Sequence, residues 1–364
     1  MDMLAYRANG ADVPAGLETV PVPECGPGDV LIKVKSAGLA PGVFTLLKMG
    51  MLHQAPTTIG HEGAGIVEAI GDQVRDFKVG DRVRMHPTMS CGRCKHCLTG
   101  VDQMCAQAAM VGFVAFGQNP VPEFREYHPG ALAEYVRLPA RYVDPLPDNV
   151  SFDVGSKVQD LANAVRCLKA ASLLPDATVM IFAATGTMGT AAIKLAPFFG
   201  ISRLVLVGRS SERLEKLRAI TDLPVDLVAT DVFEGEEDPA ADLSGKVMSL
   251  LPGGADAILD FAPQGANFWP AVAGLGTNGA FVHMGGATQP FPVPLIGMLR
   301  NCWRVIATRN NSREDARMVL ELLGSGRLEV DELVTHRYPL KEAETAIEAM
   351  TSRSQAMWWA VVNP

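Results

Sequence analysis

No uninterrupted apolar stretch of about 18 residues runs through this chain, so a membrane-spanning helix is not expected. No Lys/Arg-rich run occurs either, and the formal net charge is −8, which argues against a nucleic-acid or anionic-membrane partner. The opening residues, MDMLAYRANG, lack the basic and apolar regions of a signal peptide. Cysteine is scarce. Of seven, Cys25, Cys167 and Cys302 are scattered and the other four cluster. A disulfide framework would spread pairs along the chain, so a reducing cytoplasm is the expected setting. Low-complexity tracts and clear internal repeats are also missing. What remains is ordinary globular composition, 48% hydrophobic and 20% charged over 364 residues, enough for two domains.

The texture of the chain changes twice. Up to about residue 150 it is rich in Gly, Pro and Val. Short runs such as the alternating Val30 to Val34, GAGIVEAIG, VGDRVRM and ALAEYVRLPARYVDPLP read as antiparallel strands of a barrel-like β domain. From about residue 153, helical spacing in DVGSKVQDLANAVRCLKAA is followed by strands alternating with helices, which predicts a doubly wound parallel sheet. From about residue 306, two helical runs and a terminal strand, AMWWAVV, follow.

Cys91, Cys94, Cys97 and Cys105 are spaced C-x2-C-x2-C-x7-C. Four thiolates in one loop can enclose Zn²⁺ tetrahedrally and leave no position for substrate. An iron–sulfur cluster is the lesser alternative.

The strand-like VMIF runs into Ala184-Thr185-Gly186-Thr187-Met188-Gly189 and then a helical run. In a dinucleotide fold Gly186 lets the backbone approach a pyrophosphate, Gly189 lets helix and strand pack, and the helix N-terminus supplies N–H donors. Ala184 stands where the usual first glycine would be, and a glycine turn that binds nothing is the plain alternative. The next strand ends at Gly208-Arg209-Ser210, about 20 residues on, where an NAD site carries an acidic residue. A glycine there removes the repulsion of a 2′-phosphate. Arg209 offers a charged donor fork and Ser210 a hydroxyl, so NADP(H) is expected as cofactor.

Together with GHEGAGIVEAIGDQVRDFKVGDRV, GALAEYVRLPA and LVTHRYPLKEAETAIEAM, these motifs resemble the medium-chain dehydrogenase/reductase superfamily of the zinc alcohol dehydrogenase type. The resemblance implies an α/β protein: a GroES-like β-barrel catalytic domain, residues 1–155 and 306–364, around a Rossmann domain, residues 156–305, with the active site in the cleft between them. It also implies a catalytic zinc held by a Cys after AG-x, the His of GHE, and a Cys or Asp before the nucleotide domain. Those positions here are Ala40, His61 and Gln159, and Val43 replaces the acidic residue that usually follows the first ligand. Alanine cannot ligate and a neutral amide is a poor zinc ligand. One structural zinc per chain is therefore expected.

Without a Lewis acid, hydride transfer needs an already electrophilic acceptor. The expected activity is NADPH-dependent reduction of an enone, quinone or iminium, with Thr45, His61 or Asp160 as candidate proton donors. The alternatives are an alcohol dehydrogenase with zinc rebuilt on His61, Glu62 and Asp160, and a non-catalytic NADPH-binding protein. A small-molecule substrate is the expected partner. PFPVPLIGMLRNC holds a strand candidate, Val293 to Ile296, and relatives pair that edge of the sheet across a twofold axis, so a homodimer is expected.

Overall fold

Both chain ends contribute to one β-rich unit because the last strand, Trp359–Asn363, pairs with Asp29–Gly38 within a seven-stranded sheet. In the computed structural model, which describes residues 1–10, 13–50, 54–263, 265–287, 290–291, 293–353 and 355–364, the chain divides into Met1–Ala162 with Asn311–Pro364, and Asn163–Asn310.

In the first unit the strand Asp29–Gly38 is central. It pairs antiparallel with Gly63–Ile70, Tyr135–Pro139 and Trp359–Asn363. The alternation expected from Val30 to Val34 does not describe its burial: Val30, Leu31 and Ile32 are all buried, and only Lys33 is exposed. Apart from Lys33 and the half-buried Lys35 the strand is buried along its length, and the helix Phe152–Ser156 packs against it, so apolar residues occur at consecutive positions. The C-terminal strand is buried along most of its length, with Trp359 fully enclosed. The helix Arg313–Gly324 is started by a reciprocal capping box between Ser312 and Asp315.

The second unit is a six-stranded parallel sheet. Its strands are β1 (Ala177–Phe182), β2 (Ile201–Gly208), β3 (Val225–Ala229), β4 (Ala255–Asp260), β5 (Leu275–His283) and β6 (Arg304–Ala307). Their spatial order is β3-β2-β1-β4-β5-β6, with every neighbouring pair parallel. This is the doubly wound order of a dinucleotide-binding fold, and its topological switch lies between β1 and β4. The apolar runs VMIF and LVLV are buried throughout, as a sheet covered on two faces requires.

One expected strand is absent. Leu295 and Ile296 open a helix, Leu295–Asn301, with Pro294 at its N-cap. Proline has no N–H for a ladder and is preorganised for helix entry, so the prolines that suggested a bounded strand start a helix instead. Among the described residues no helix is long and apolar enough to cross a membrane.

Candidate active site and metal centre

The four clustered cysteines are gathered by local turns. Gly92 adopts φ 71°, a left-handed conformation that suits glycine. Cys94 caps the short helix Lys95–Leu98, and a 3₁₀ turn at Asp102–Met104 returns Cys105. All four sulfurs lie within 4.8 Å of one another. Cys91 and Cys97 are 3.9 Å apart, and Cys94 and Cys97 are 3.6 Å apart. Zn–S bonds of about 2.3 Å in a tetrahedron put sulfurs roughly 3.8 Å apart, so the set fits one closed zinc site. An iron–sulfur cluster would hold its cysteines farther apart than a single ion does. Backbone N–H groups of Arg93 and Cys94 bring the Cys91 thiol down to about 6. Burial pushes Cys97 up to about 12 and raises Cys105. The Asp102 carboxylate accepts from the Arg313 N–H at 3.1 Å, tying the lobe to the start of the helix Arg313–Gly324.

The second metal position looks different. Lys157, just before the helix Val158–Ala171, has a fully buried side chain. Its ammonium lies 2.6 Å from Glu62 Oε2 and 2.6 Å from Asp160 Oδ2, and it donates to the Leu39 carbonyl at 3.3 Å. Leu39, Glu62 and Asp160 are the chain neighbours of Ala40, His61 and Gln159, the three positions at which the resemblance implies a zinc ligand. Lys157 was not singled out by the sequence reading. The available signal was a lysine two residues before Gln159, but a lone lysine ordinarily reads as surface. Burial opposes its charge, and Asp160 and Glu62 outweigh that effect, so Lys157 titrates above the ordinary lysine range. Burial raises Asp160 despite the ammonium beside it. Gly38 allows this packing, because a Cβ there would stand 2.1 Å from Glu62 Oε2 and 2.9 Å from Lys157 Cδ.

The alternative metal set of His61, Glu62 and Asp160 is not assembled. Among the described residues the four cysteines form the only group arranged to hold an ion. Glu62 and Asp160 face an ammonium, and attraction to that charge explains the difference. His61 stacks on Phe113 at 5.0 Å between ring centroids, and its Nε2 lies 3.6 Å from Glu62 Oε1. Burial pulls it down to about 4, with Asp160 opposing and Lys157 assisting, so the ring is neutral at pH 7. His61 Nδ1 and both polar atoms of the Gln159 amide are buried without a hydrogen-bond partner. Thr45 does not join this group. It lies on the exposed face of the helix Pro41–Lys48, where its hydroxyl donates to the Pro41 carbonyl at 3.2 Å. A helical threonine has that carbonyl within reach, which accounts for its local bond.

In the second unit the helix Thr187–Leu195 starts at Gly186 with no side-chain cap, and the N–H groups of a helix's first turn have no intrahelical acceptors. A Cβ on Gly189 would lie 2.6 Å from the Ala184 carbonyl oxygen, so only glycine permits this close approach. Thr185 lies in the turn between strand and helix. These residues fit a dinucleotide pyrophosphate. Gly208 ends β2, and Arg209 is exposed beyond it. Ser210 caps the helix Ser211–Glu215, its hydroxyl oxygen accepting from the Arg213 N–H at 3.3 Å. Asp231 braces the turn, accepting from the Ser211 N–H at 2.8 Å and Ser211 Oγ at 2.7 Å while its own N–H donates to the Arg209 carbonyl. Asp231 was also not recognised as a site residue. It lies in VDLVATD, whose apolar run announced only a strand.

Residues 26–148 match the alcohol dehydrogenase GroES-like domain family. Probable D-xylulose reductase A of Aspergillus fumigatus is 28% identical over 91% of this chain and 89% of its own length. The L-idonate 5-dehydrogenase of Vitis vinifera is 27% identical over 92% of this chain and 88% of its own. The cobalt- and zinc-bound thermostable alcohol dehydrogenase of Pyrobaculum aerophilum superposes with a TM-score of 0.81 at 25% identity, covering all of both chains. With the doubly wound sheet, the two-ended β unit and the cysteine lobe in place, residues 26–148 are an alcohol dehydrogenase GroES-like domain, and along its length the chain is similar to oxidoreductases of the zinc alcohol dehydrogenase type.

Proposed function

We propose that this protein is an NADPH-dependent reductase of activated double bonds, an enone, quinone or iminium, with one zinc per chain held by the cysteine lobe and none at the hydride site. The observation that carries this reading is the buried ammonium of Lys157. It neutralises Glu62 and Asp160, while Ala40 and Gln159 stand at two ligand positions. A cation there would have to displace a charge already paired at 2.6 Å on both sides.

Bound NADPH supplies the hydride. The chain's part is to bind, orient and polarise. Gly186 and Gly189 admit the pyrophosphate, with donors from Thr187 and Met188, and Thr185 lines the turn. Arg209 and the Ser210 hydroxyl would hold the 2′-phosphate, and Gly208 adds no negative charge. The unpartnered His61 imidazole and Gln159 amide are the polar groups offered to a substrate oxygen or nitrogen. A buried polar group without a partner costs about 1–3 kcal/mol, which a substrate bond would offset. Neutral His61 is a hydrogen-bonding group rather than a charged acid at pH 7. Asp160 is the other candidate for moving the proton, through Lys157.

The rival is a zinc-dependent polyol dehydrogenase. It is favoured by the names of the sequence relatives, a xylulose reductase and an idonate dehydrogenase. NADPH oxidation should be followed with enone, quinone and polyol–ketose panels, before and after a chelator too mild to open a four-thiolate site. Turnover of enones or quinones that survives treatment is expected. Activity confined to polyols and ketoses, lost on chelation and restored by Zn²⁺, would establish the rival. No turnover with any panel alongside tight NADPH binding would favour a non-catalytic binding protein.

A homodimer is part of the same proposal. The helix Leu295–Asn301 exposes Leu295, Ile296 and Leu299, and β6, at the edge of the sheet, exposes Val305. A second copy covering that edge would bury these side chains and occupy unpaired strand groups. A monomer by light scattering at micromolar concentration would end this part of the reading.

A further inference from the structure

Asp260 and His283 are the last residues of β4 and β5, and they stand opposite one another in the parallel register. Asp260 is buried at 1% exposure, and both of its carboxylate oxygens are engaged. Oδ1 accepts from the Ala262 N–H at 2.9 Å, and Oδ2 lies 2.6 Å from His283 Nδ1. A carboxylate can only accept, so Nδ1 carries the proton and, in the neutral ring, Nε2 presents a lone pair. The His283 side chain is 27% exposed, and Nε2 meets no partner among the described residues.

The position of this pair in the sheet gives it a meaning. Ligands of doubly wound sheets bind outside the carboxyl ends of the strands, at the switch point, and each half of the sheet takes one mononucleotide. The switch point lies between β1 and β4. The half made of β1, β2 and β3 carries the glycine turn and Arg209, which mark the adenosine side. Asp260 and His283 therefore end the strands of the other half, beside the nicotinamide side. Resting on the dinucleotide reading above, we propose that His283, held by Asp260, accepts a hydrogen bond at Nε2 from the nicotinamide riboside, through a ribose hydroxyl or the carboxamide N–H. His283 would be the ligand contact and Asp260 the positioning residue.

Calorimetric titrations of the full chain with two ligand pairs test this: NADPH against 2′-phospho-ADP, and NADH against ADP. The second member of each pair lacks the whole nicotinamide riboside. His283→Ala should weaken NADPH and NADH by about tenfold, the effect of one hydrogen bond, and leave both fragments unchanged. His283→Gln, whose side-chain oxygen also accepts, should recover part of the loss. Equal losses on dinucleotide and fragment, or no loss on either, would overturn the assignment. Loss confined to the nicotinamide in the NADH pair, with no binding in the phosphorylated pair, would support His283 and refute the NADP reading instead. Failure of the wild-type protein to bind either dinucleotide would refute both.

Discussion

Two places in the same β-rich unit correspond to zinc sites of the superfamily, and they hold charge in opposite ways. In the lobe, four sulfurs converge within 4.8 Å of one another. In the other pocket, two carboxylates converge on Lys157. The thiolates are satisfied only by an external ion. The carboxylates already have a cation supplied by the chain. A chain-borne ammonium thus does in one place what an ion would do in the other, with His61 and Glu62 beside it.

The largest effect expected from breaking this contrast is at the lobe. Cys94→Ser, or exhaustive chelation, should release the single zinc and forfeit binding free energy on the order of 10 kcal/mol in apparent terms. Metal analysis should read one zinc per chain before and none after, with a large fall in melting temperature. Two zincs per wild-type chain would erase the contrast.

Next in size is Lys157→Met, which keeps most of the unbranched side chain and removes its charge. It leaves Glu62 and Asp160 buried against each other, and breaking a buried pair costs about 3–5 kcal/mol. Denaturant unfolding should show that loss with zinc content unchanged. The double variant Lys157→Met with Asp160→Asn should recover part of it, since less uncompensated charge remains. Unaltered stability in the single variant would mean that the ammonium does not hold the pocket together.

The smallest effect is a pH dependence. His61 has a folded pKa of about 4, below the ordinary 6.5. Between those values the unfolded chain binds the proton and the folded chain does not, so stability from this group is complete above pH 6.5 and falls as pH drops toward 4. The full loss is about 3 kcal/mol. His61→Phe keeps an aromatic ring against Phe113 and removes the titration. The wild-type minus variant stability should therefore decline through that window. Asp160, raised by burial, acts in the opposite sense and is coupled to His61, so the comparison is repeated on an Asp160→Asn background. A flat difference would place His61 in contact with solvent.

The cysteine lobe, the glycine turn and the order of strands and helices were legible in the sequence because each depends on local spacing. Four thiols within one loop, or an apolar run followed by a glycine turn, can form with little help from distant residues. Ala40 and Gln159 were legible as residues that are poor zinc ligands wherever they point. What filled the space was not legible. Lys157 meets Glu62, 95 residues away in the chain, and the two side chains occupy space that a Cβ on Gly38 would fill. The same holds for Asp260 and His283, which become neighbours only when β4 and β5 align, and for Leu295 and Ile296, where prolines in an apolar run were compatible with a strand edge or a helix start. The sequence by itself determined which residues could carry charge, bind metal or turn the chain. The tertiary structure decided which charges face each other, because burial and proximity between distant segments set whether a carboxylate meets a metal, an ammonium or an imidazole.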